Sequence, residues 1–155
     1  MWPEFKGRDG CRTPMPWVSA ESDLGFSSGR TAETAPWLPV AETHRPLAVD
    51  TQEKSEGSLL NFYRRLLQWR KTYPAIVHGD MSMLPVHEQV LAYVRSYGDQ
   101  RILCVFNISD TAVQWSLPAG MQLGRDITPD GLGAAQASGT TISLAPWGGL
   151  FATAA

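Results

Sequence analysis

Cysteine and histidine are scarce in this sequence, with two and three copies among 155 residues. Cys11 and Cys104 lie far apart and fit no metal-ligand spacing. Two such cysteines are typical of reduced thiols inside the cell. The opening residues also lack the apolar stretch of a signal peptide. Together these features predict a cytoplasmic protein.

A basic surface and a long apolar run are also missing. The chain has 13 Lys and Arg against 15 Asp and Glu, so its formal net charge is -2. Only Arg64, Arg65, Arg70 and Lys71 lie close together, which is not the basic stripe that nucleic-acid binders carry. No apolar run approaches the roughly 18 residues that a membrane span needs. We therefore predict neither a nucleic-acid partner nor a membrane partner.

The common catalytic signatures are absent too. The sequence has no G-x-S-x-G motif and no P-loop, and no histidine pair has the spacing of a helical metal site. Neither cysteine has a neighbouring histidine motif that would activate a thiol nucleophile. Nothing nominates a pair of carboxylates of the kind that glycosidases use. We predict no catalytic residue, no metal and no cofactor in this chain.

Proline and tryptophan, in contrast, are concentrated at the beginning. Residues 1 to about 55 hold six of the 11 prolines and three of the six tryptophans. Such proline density disfavours helices and strands, whereas disordered segments are poor in tryptophan. The pattern predicts a long ordered loop without regular structure. This loop would lie on a large folded structure that is not part of this chain.

One amphipathic helix is predicted over residues 58 to 72. Ser58 is a suitable N-cap, and the helix ends before Pro74. Arg70 and Lys71 lie in the last turn, where the helix dipole favours positive charge. Apolar residues recur at helical spacing and form one face, namely Leu59, Phe62, Tyr63, Leu66 and Leu67.

Residues 75 to 155 have β character. Residues 90–97 and 101–107 predict a hairpin whose second strand is buried on both faces, because that strand is almost continuously apolar. Shorter strands are predicted at 112–117, 141–144 and 149–152. Residues 131–140 are rich in Gly, Ala and Ser and predict a flexible loop. The fold class is thus mixed α+β, with a small antiparallel sheet or sandwich at the end.

The stretch from Gly7 to Trp17 combines Arg8, Asp9 and Arg12 in a loop. An arginine in a rigid loop presents five donors, which can hold a carboxylate or sugar hydroxyls. Trp17 could stack on the apolar face of a sugar. Alternatively, both arginines pair with acids of their own fold and Trp17 belongs to the core.

The ten residues 8–17, R-D-G-C-R-T-P-M-P-W, closely resemble a family motif, R-D-x-x-R-T-P-M-x-W. That motif follows the last barrel strand in α-glucosidases of glycoside hydrolase family 13. The resemblance continues along the chain in the same order, at residues 25–27, 36–40, 58–71, 74–80 and 105–109.

The resemblance implies that residues 1–74 are the last β→α loop and last helix of an (α/β)₈ barrel. Residues 75–155 would be the antiparallel C-terminal β domain, a β-sandwich. Family members are much longer, and their nucleophile, acid/base and transition-state-stabilising carboxylates lie on earlier barrel strands. The partners implied are the missing barrel domain and, in the full-length enzyme, an α-glucoside oligosaccharide. The chain alone would be inactive.

The resemblance also implies roles within the motif. One arginine pairs with an upstream aspartate and donates to the 4-hydroxyl of the terminal glucose. We assign this role to Arg12 first and Arg8 second, and Asp9 would brace an arginine within the loop. The linkage (α-1,4 or α-1,6) and the choice among hydrolase, transglycosidase and isomerase stay open. The alternative function is a structural β domain or a carbohydrate-binding one, with Trp115 or Trp147 as a sugar platform.

Overall fold

The computed structural model describes residues 9–27 and 36–155. Predictions for Arg8 lie outside these ranges. The chain divides into two compact units, Met1–Arg64 and Arg65–Ala155.

The first unit contains more regular structure than the sequence predicts. A 3₁₀ helix spans Glu42–Leu47, and helix α1 follows at Val49–Glu53. The prediction of a segment without regular structure is therefore wrong for this stretch. Pro46 is tolerated because the hydrogen bonds of the 3₁₀ helix come from other amides. His44 N–H donates to Ala41 O at 2.9 Å, and Ala48 N–H donates to Arg45 O at 3.2 Å.

Helix α2 spans Leu59–Lys71, within one residue of the predicted range at each end. The Ser58 hydroxyl accepts a hydrogen bond from Asn61 N–H at 3.2 Å, which confirms the predicted N-cap. The Gln52 side-chain carbonyl accepts from Leu60 N–H at 3.1 Å and adds a second cap. Helix α3, Pro74–His78, follows with its proline in the first turn, where a missing N–H costs little.

The apolar face predicted for α2 is largely open to solvent. Leu59 is 72% exposed, Tyr63 56% and Leu67 42%. Phe62 and Leu66 are half-buried. The amphipathic pattern is present, but the described residues bury little of it.

Two antiparallel sheets form most of the second unit. The five-stranded sheet has the order β1-β2-β3-β8-β5, and the three-stranded sheet has the order β4-β7-β6. The strands are β1 Asp80–Met83, β2 Val90–Tyr97, β3 Gln100–Asn107, β4 Val113–Ser116, β5 Leu123–Asp126, β6 Ala135–Ser138, β7 Thr141–Leu144 and β8 Gly149–Ala154.

The core shared by both sheets explains how they pack. Its buried members include Leu103 and Val105 from β3, Trp115 from β4 and Ile142 from β7. Apolar side chains from the inner faces of the two sheets thus exclude water between them, as in a β-sandwich. The predicted α+β fold class with a terminal antiparallel β domain is confirmed.

The hairpin of β2 and β3 also follows the prediction. Tyr97 pairs with Gln100, so the turn has two residues, and Gly98 at its first position has a φ of 55°. Leu103 faces the inter-sheet core, whereas Ile102 and Cys104 belong to a second buried cluster with Ala75. Strand β3 is therefore buried on both faces, as predicted.

Strands β1, β5 and β6 were not predicted. Strand β6 lies inside residues 131–140, so the prediction of a flexible loop is wrong there. Its alanines and serine have weak strand preference, but the strand pairs with β7 along its whole length. Gly139, with a φ of 58°, allows the tight turn between Ser138 and Thr141.

The two cysteines should differ strongly in reactivity. Burial raises the pKa of the Cys104 thiol to about 12, and the residue is 1% exposed, whereas Cys11 is exposed. Because the thiolate is the reactive form, iodoacetamide should label Cys11 and spare Cys104 until the fold is disrupted. Mass spectrometry with and without urea measures this. Equal labelling rates in the native chain would contradict the buried position of Cys104.

Candidate functional site

Arg12 stands directly after a short 3₁₀ turn, Asp9–Cys11. Its backbone N–H donates to Asp9 O at 3.0 Å. The side chain is exposed and makes no hydrogen bond or ion pair with any residue in 9–27 or 36–155. Among the described residues, Arg12 is therefore not paired with an acid of its own fold.

Asp9 is exposed, and its carboxylate forms no ion pair with Arg12 in the described structure. Its contact with Arg12 runs through the backbone carbonyl alone. Arg8, the other arginine that Asp9 could brace, lies outside the described residues. The bracing role of Asp9 and the substrate-binding roles of Arg12 and Arg8 stay predictions.

The segment that follows Arg12 folds back on itself. The N–H groups of Trp17 and Val18 both donate to Leu24 O, at 2.7 and 2.9 Å. Leu24 is buried and has a φ of 56°, in the left-handed region that a branched side chain rarely adopts. Gly25 follows with a φ of 71°, and a Cβ there would lie 3.0 Å from the Val18 side chain. The loop thus holds a strained conformation that its surroundings must stabilise.

Asp23 supplies part of that stabilisation. Its carboxylate accepts hydrogen bonds from Gly25 N–H at 3.1 Å, from Ser27 N–H at 3.0 Å and from the Ser27 hydroxyl at 2.7 Å. The Ser27 hydroxyl is the largest cause that lowers the pKa of Asp23, and desolvation opposes it. Asp23 is 3% exposed, so these donors replace the water that its carboxylate has lost.

The other supports come from residues further along the chain. The Asp50 carboxylate accepts from Ser19 N–H and from its hydroxyl, each at 2.9 Å, and the Ser19 N–H bond is the largest cause that lowers the pKa of Asp50. The Arg45 guanidinium donates to Ser19 O while also holding Glu42 at 2.9 Å. Val49 N–H donates to Pro16 O at 3.1 Å. Residues 16–27 are therefore fixed against residues 42–50.

Sequence reasoning missed these supports. The Asp23 contacts are local, and an acid two residues before glycine and four before serine is the signal that could have indicated them. The bonds of Asp50 and Arg45 to Ser19 span 31 and 26 residues, and no local pattern indicates such pairs.

Replacement of Asp23 by alanine should loosen the loop. We expect faster hydrogen exchange at the amides of Gly25 and Ser27, since their acceptor is removed, with no change in the β2–β3 hairpin. Low pH should act in the same direction. The folded pKa lies below the ordinary value, so the contribution is present above about pH 3.9 and is lost as the pH falls through the folded pKa. Asp99→Ala, in the exposed hairpin turn, is the control. Unchanged exchange in the Asp23 variant would contradict this account of the loop.

The tryptophans differ in environment. Trp17 is 49% exposed, so it is not a core residue of the described structure. Trp115 is 6% exposed and belongs to the inter-sheet core, which rules it out as a sugar platform. Trp147 is 66% exposed. In the described ranges the only tryptophan in a ring–ring contact is Trp69.

The described residues contain no group of three or more His, Cys, Asp or Glu side chains that could hold a metal ion. They also contain no helix that is long and apolar enough to cross a bilayer.

The chain is an α+β protein with a long irregular segment, helices and a terminal β-sandwich. Its two parts match different family models. Residues 2–79 match the catalytic domain of α-amylase, and residues 81–150 match the C-terminal domain of maltogenic amylase. The chain belongs to the α-amylase family, glycoside hydrolase family 13. It comprises the end of the catalytic domain and the C-terminal domain. The predicted boundary after residue 74 stays a prediction.

The similar proteins are named as glucosidases and as an α-glucosyl transfer enzyme. A probable α-glucosidase of Rhizobium meliloti is 45% identical over 117 residues, which are 76% of this chain and 20% of that protein. An oligo-1,6-glucosidase of Parageobacillus thermoglucosidasius is 30% identical over 74% of this chain and 19% of its own length. The crystal structure of an α-glucosyl transfer enzyme, XgtA, matches 99% of this chain and 27% of its own, with 38% identity and a TM-score of 0.86. The chain spans about a fifth of the length of the curated relatives that it matches.

Proposed function

We propose that this chain is part of an α-glucosidase that releases terminal α-linked glucose from oligosaccharides by a retaining mechanism, in the cytoplasm. The observation that carries the proposal is Arg12. It lies in the motif of the catalytic-domain match, immediately before a loop that is fixed by Asp23, Asp50 and Arg45, and its guanidinium is exposed.

The chemistry assigned to Arg12 is recognition. A guanidinium can donate to a sugar hydroxyl and a carboxylate at once because its donors form a planar fork. Donation to the 4-hydroxyl of the terminal glucose would select a free non-reducing end, since a further sugar at that oxygen would clash. Arg8 is the second candidate for this role.

Proton transfer and nucleophilic attack are assigned to residues outside this chain. A retaining glycosidase needs one carboxylate as nucleophile and another as acid and base, about 5–5.5 Å apart. From the resemblance to the family, we expect both on earlier barrel strands. The relatives' names include glucosidases and a glucosyl transfer enzyme, and we propose hydrolysis because the 45% identical relative is called an α-glucosidase.

The purified 155-residue chain should not hydrolyse maltose, isomaltose or a chromogenic α-glucoside. The physical reason is that the nucleophile and the acid/base carboxylate are assigned to residues outside this chain. The matched experiment replaces the corresponding segment of a complete relative with this chain and assays the same substrates, where hydrolysis is expected. Turnover by the isolated chain above a buffer blank, abolished by mutation of one of its own carboxylates, would overturn the proposal.

A further inference from the structure

A groove in the second unit lies between helix α2 and the segment that follows strand β5. It has a volume of about 290 Å³, and both elements line it, with Arg65, Trp69, Thr128, Pro129 and Asp130. Arg65 and Trp69 are four residues apart, so they lie on the same face of the helix. An aromatic ring, a guanidinium, a carboxylate and a hydroxyl therefore come together around one small space.

Hydrogen bonds and ring packing hold the two sides of this groove in place. The Trp69 indole N–H donates to Ile127 O at 2.8 Å, and the centre of its ring lies 4.8 Å from that of Phe151. The Thr128 hydroxyl accepts from Phe151 N–H at 2.9 Å, and Thr128 N–H donates to the Asp126 carboxylate at 2.8 Å. The groove is thus formed before a ligand arrives, which lowers the entropic cost of binding.

The Asp130 carboxylate is available to a ligand in the groove. Asp130 is exposed and forms no ion pair with any residue in 9–27 or 36–155. An ionised carboxylate has two oxygens and can accept from two neighbouring hydroxyl groups at once. The Arg65 guanidinium brings donors to the same groove.

The balance of charge in the groove indicates the class of ligand. One cation and one anion line it, so neither a phosphate-like anion nor a metal ion meets an excess of opposite charge. A neutral ligand that both donates and accepts hydrogen bonds satisfies both charged groups, and Trp69 favours a ligand with an apolar face. A sugar ring combines these properties. Small-molecule sites span roughly 300–1,000 Å³, so this groove is at the small end and suits a single ring.

We propose that this groove binds one glucosyl ring of a neutral α-glucoside, through residues that do not include the 8–17 motif. The Asp130 carboxylate accepts from two neighbouring sugar hydroxyls, Arg65 donates to a sugar oxygen, and Trp69 covers the apolar face of the ring. The choice of glucose among sugars rests on the proposed function, because the similar proteins are named for glucosyl groups. The preference for a neutral sugar rests on the groove alone.

Titration of the free 155-residue chain with methyl α-D-glucopyranoside tests the groove directly. Two-dimensional NMR of the backbone and indole N–H groups locates the ligand. We expect saturable shifts at the amides of Thr128 and Asp130 and at the Trp69 indole. Methyl α-L-glucopyranoside, the mirror-image compound, is the control ligand and should give no saturable shift. Equal responses to the two compounds would show that the groove does not recognise a sugar.

Replacement of Asp130 gives a second test. Asp130→Ala should weaken binding about tenfold or more, because hydrogen bonds to a charged group contribute strongly. The position is exposed, so the Tm should stay the same. Asp99→Ala, the same change in the exposed hairpin turn, is the matched control and should bind as the unmodified chain does. Equal affinities of the two variants would overturn the proposal.

The remaining outcomes separate this proposal from the proposed function. Shifts confined to residues 9–27 overturn the groove and support sugar recognition by the loop that carries Arg12. Groove shifts with inorganic phosphate and none with the glucoside also overturn the proposal and assign the groove to an anion. Groove binding together with an inactive chimera would contradict the proposed function and leave the groove supported. An active chimera without groove binding would do the reverse.

Discussion

Arg12→Ala, in a complete enzyme that carries this segment, is expected to lower kcat/KM by at least about a hundredfold. In the role proposed for Arg12, the change removes two charge-assisted bonds, one to the terminal glucose and one to an upstream carboxylate. Each such bond contributes on the order of 1.5–3 kcal/mol, and about 1.4 kcal/mol corresponds to a tenfold change in rate. The fold should survive, because the exposed side chain holds no other described residue of this chain.

The controls for Arg12 separate sugar recognition from structure. Arg12→Lys should not restore activity, since a point charge cannot reproduce the planar fork. Loss of the arginine should matter less for a 4-deoxy-glucoside, in which one partner is already gone. The Arg8→Ala variant, assayed with both substrates, decides which arginine carries the role. If neither arginine is coupled to the 4-hydroxyl, the recognition role fails.

The parts of the fold predicted from sequence are those with local causes. Helix α2 was predicted because its N-cap serine, apolar period and terminal proline lie within 17 residues of one another, and each acts through its neighbours. The β2–β3 hairpin was predicted because two β-rich runs flank a glycine turn. A strand buried on both faces needs a continuous apolar run, and β3 has one.

The parts that were missed depend on partners elsewhere in the chain. Strand β6 has a sequence of alanine, glutamine and serine, and only its pairing with β7 makes it a strand. Strand β1 alternates polar and apolar residues over only four positions and contains no β-branched or aromatic residue, so its sequence is a weak strand signal and its pairing with β2 makes it a strand. Helix α1, residues 49–53, has only about one and a half turns. This is too short for a helical repeat of apolar residues to be recognised in its sequence.

The candidate site, like the fold, was predicted only in part from the sequence. Physical reasoning selected Arg8 and Arg12 because two arginines with an acid and glycines in a loop are unusual, but it left pairing within the fold as an alternative. The sugar-binding role came from the motif. The supports from Asp23, Asp50 and Arg45 came from the structure, because they depend on how residues 16–27 fold back on residues 42–50.

Leu103→Ala should cause the largest loss of stability. The side chain is completely buried in the inter-sheet core on the central strand β3. Its truncation removes buried apolar surface and leaves a cavity, which costs about 2–5 kcal/mol against a total stability of roughly 5–15 kcal/mol for a typical protein. Urea unfolding of the free chain, followed by circular dichroism, measures the change. The matched control is Leu91→Ala, which truncates the same side chain at a 40% exposed position on β2 and should cost under about 1 kcal/mol. If the two variants lose equal stability, the inter-sheet core does not hold the sandwich together as its burial indicates.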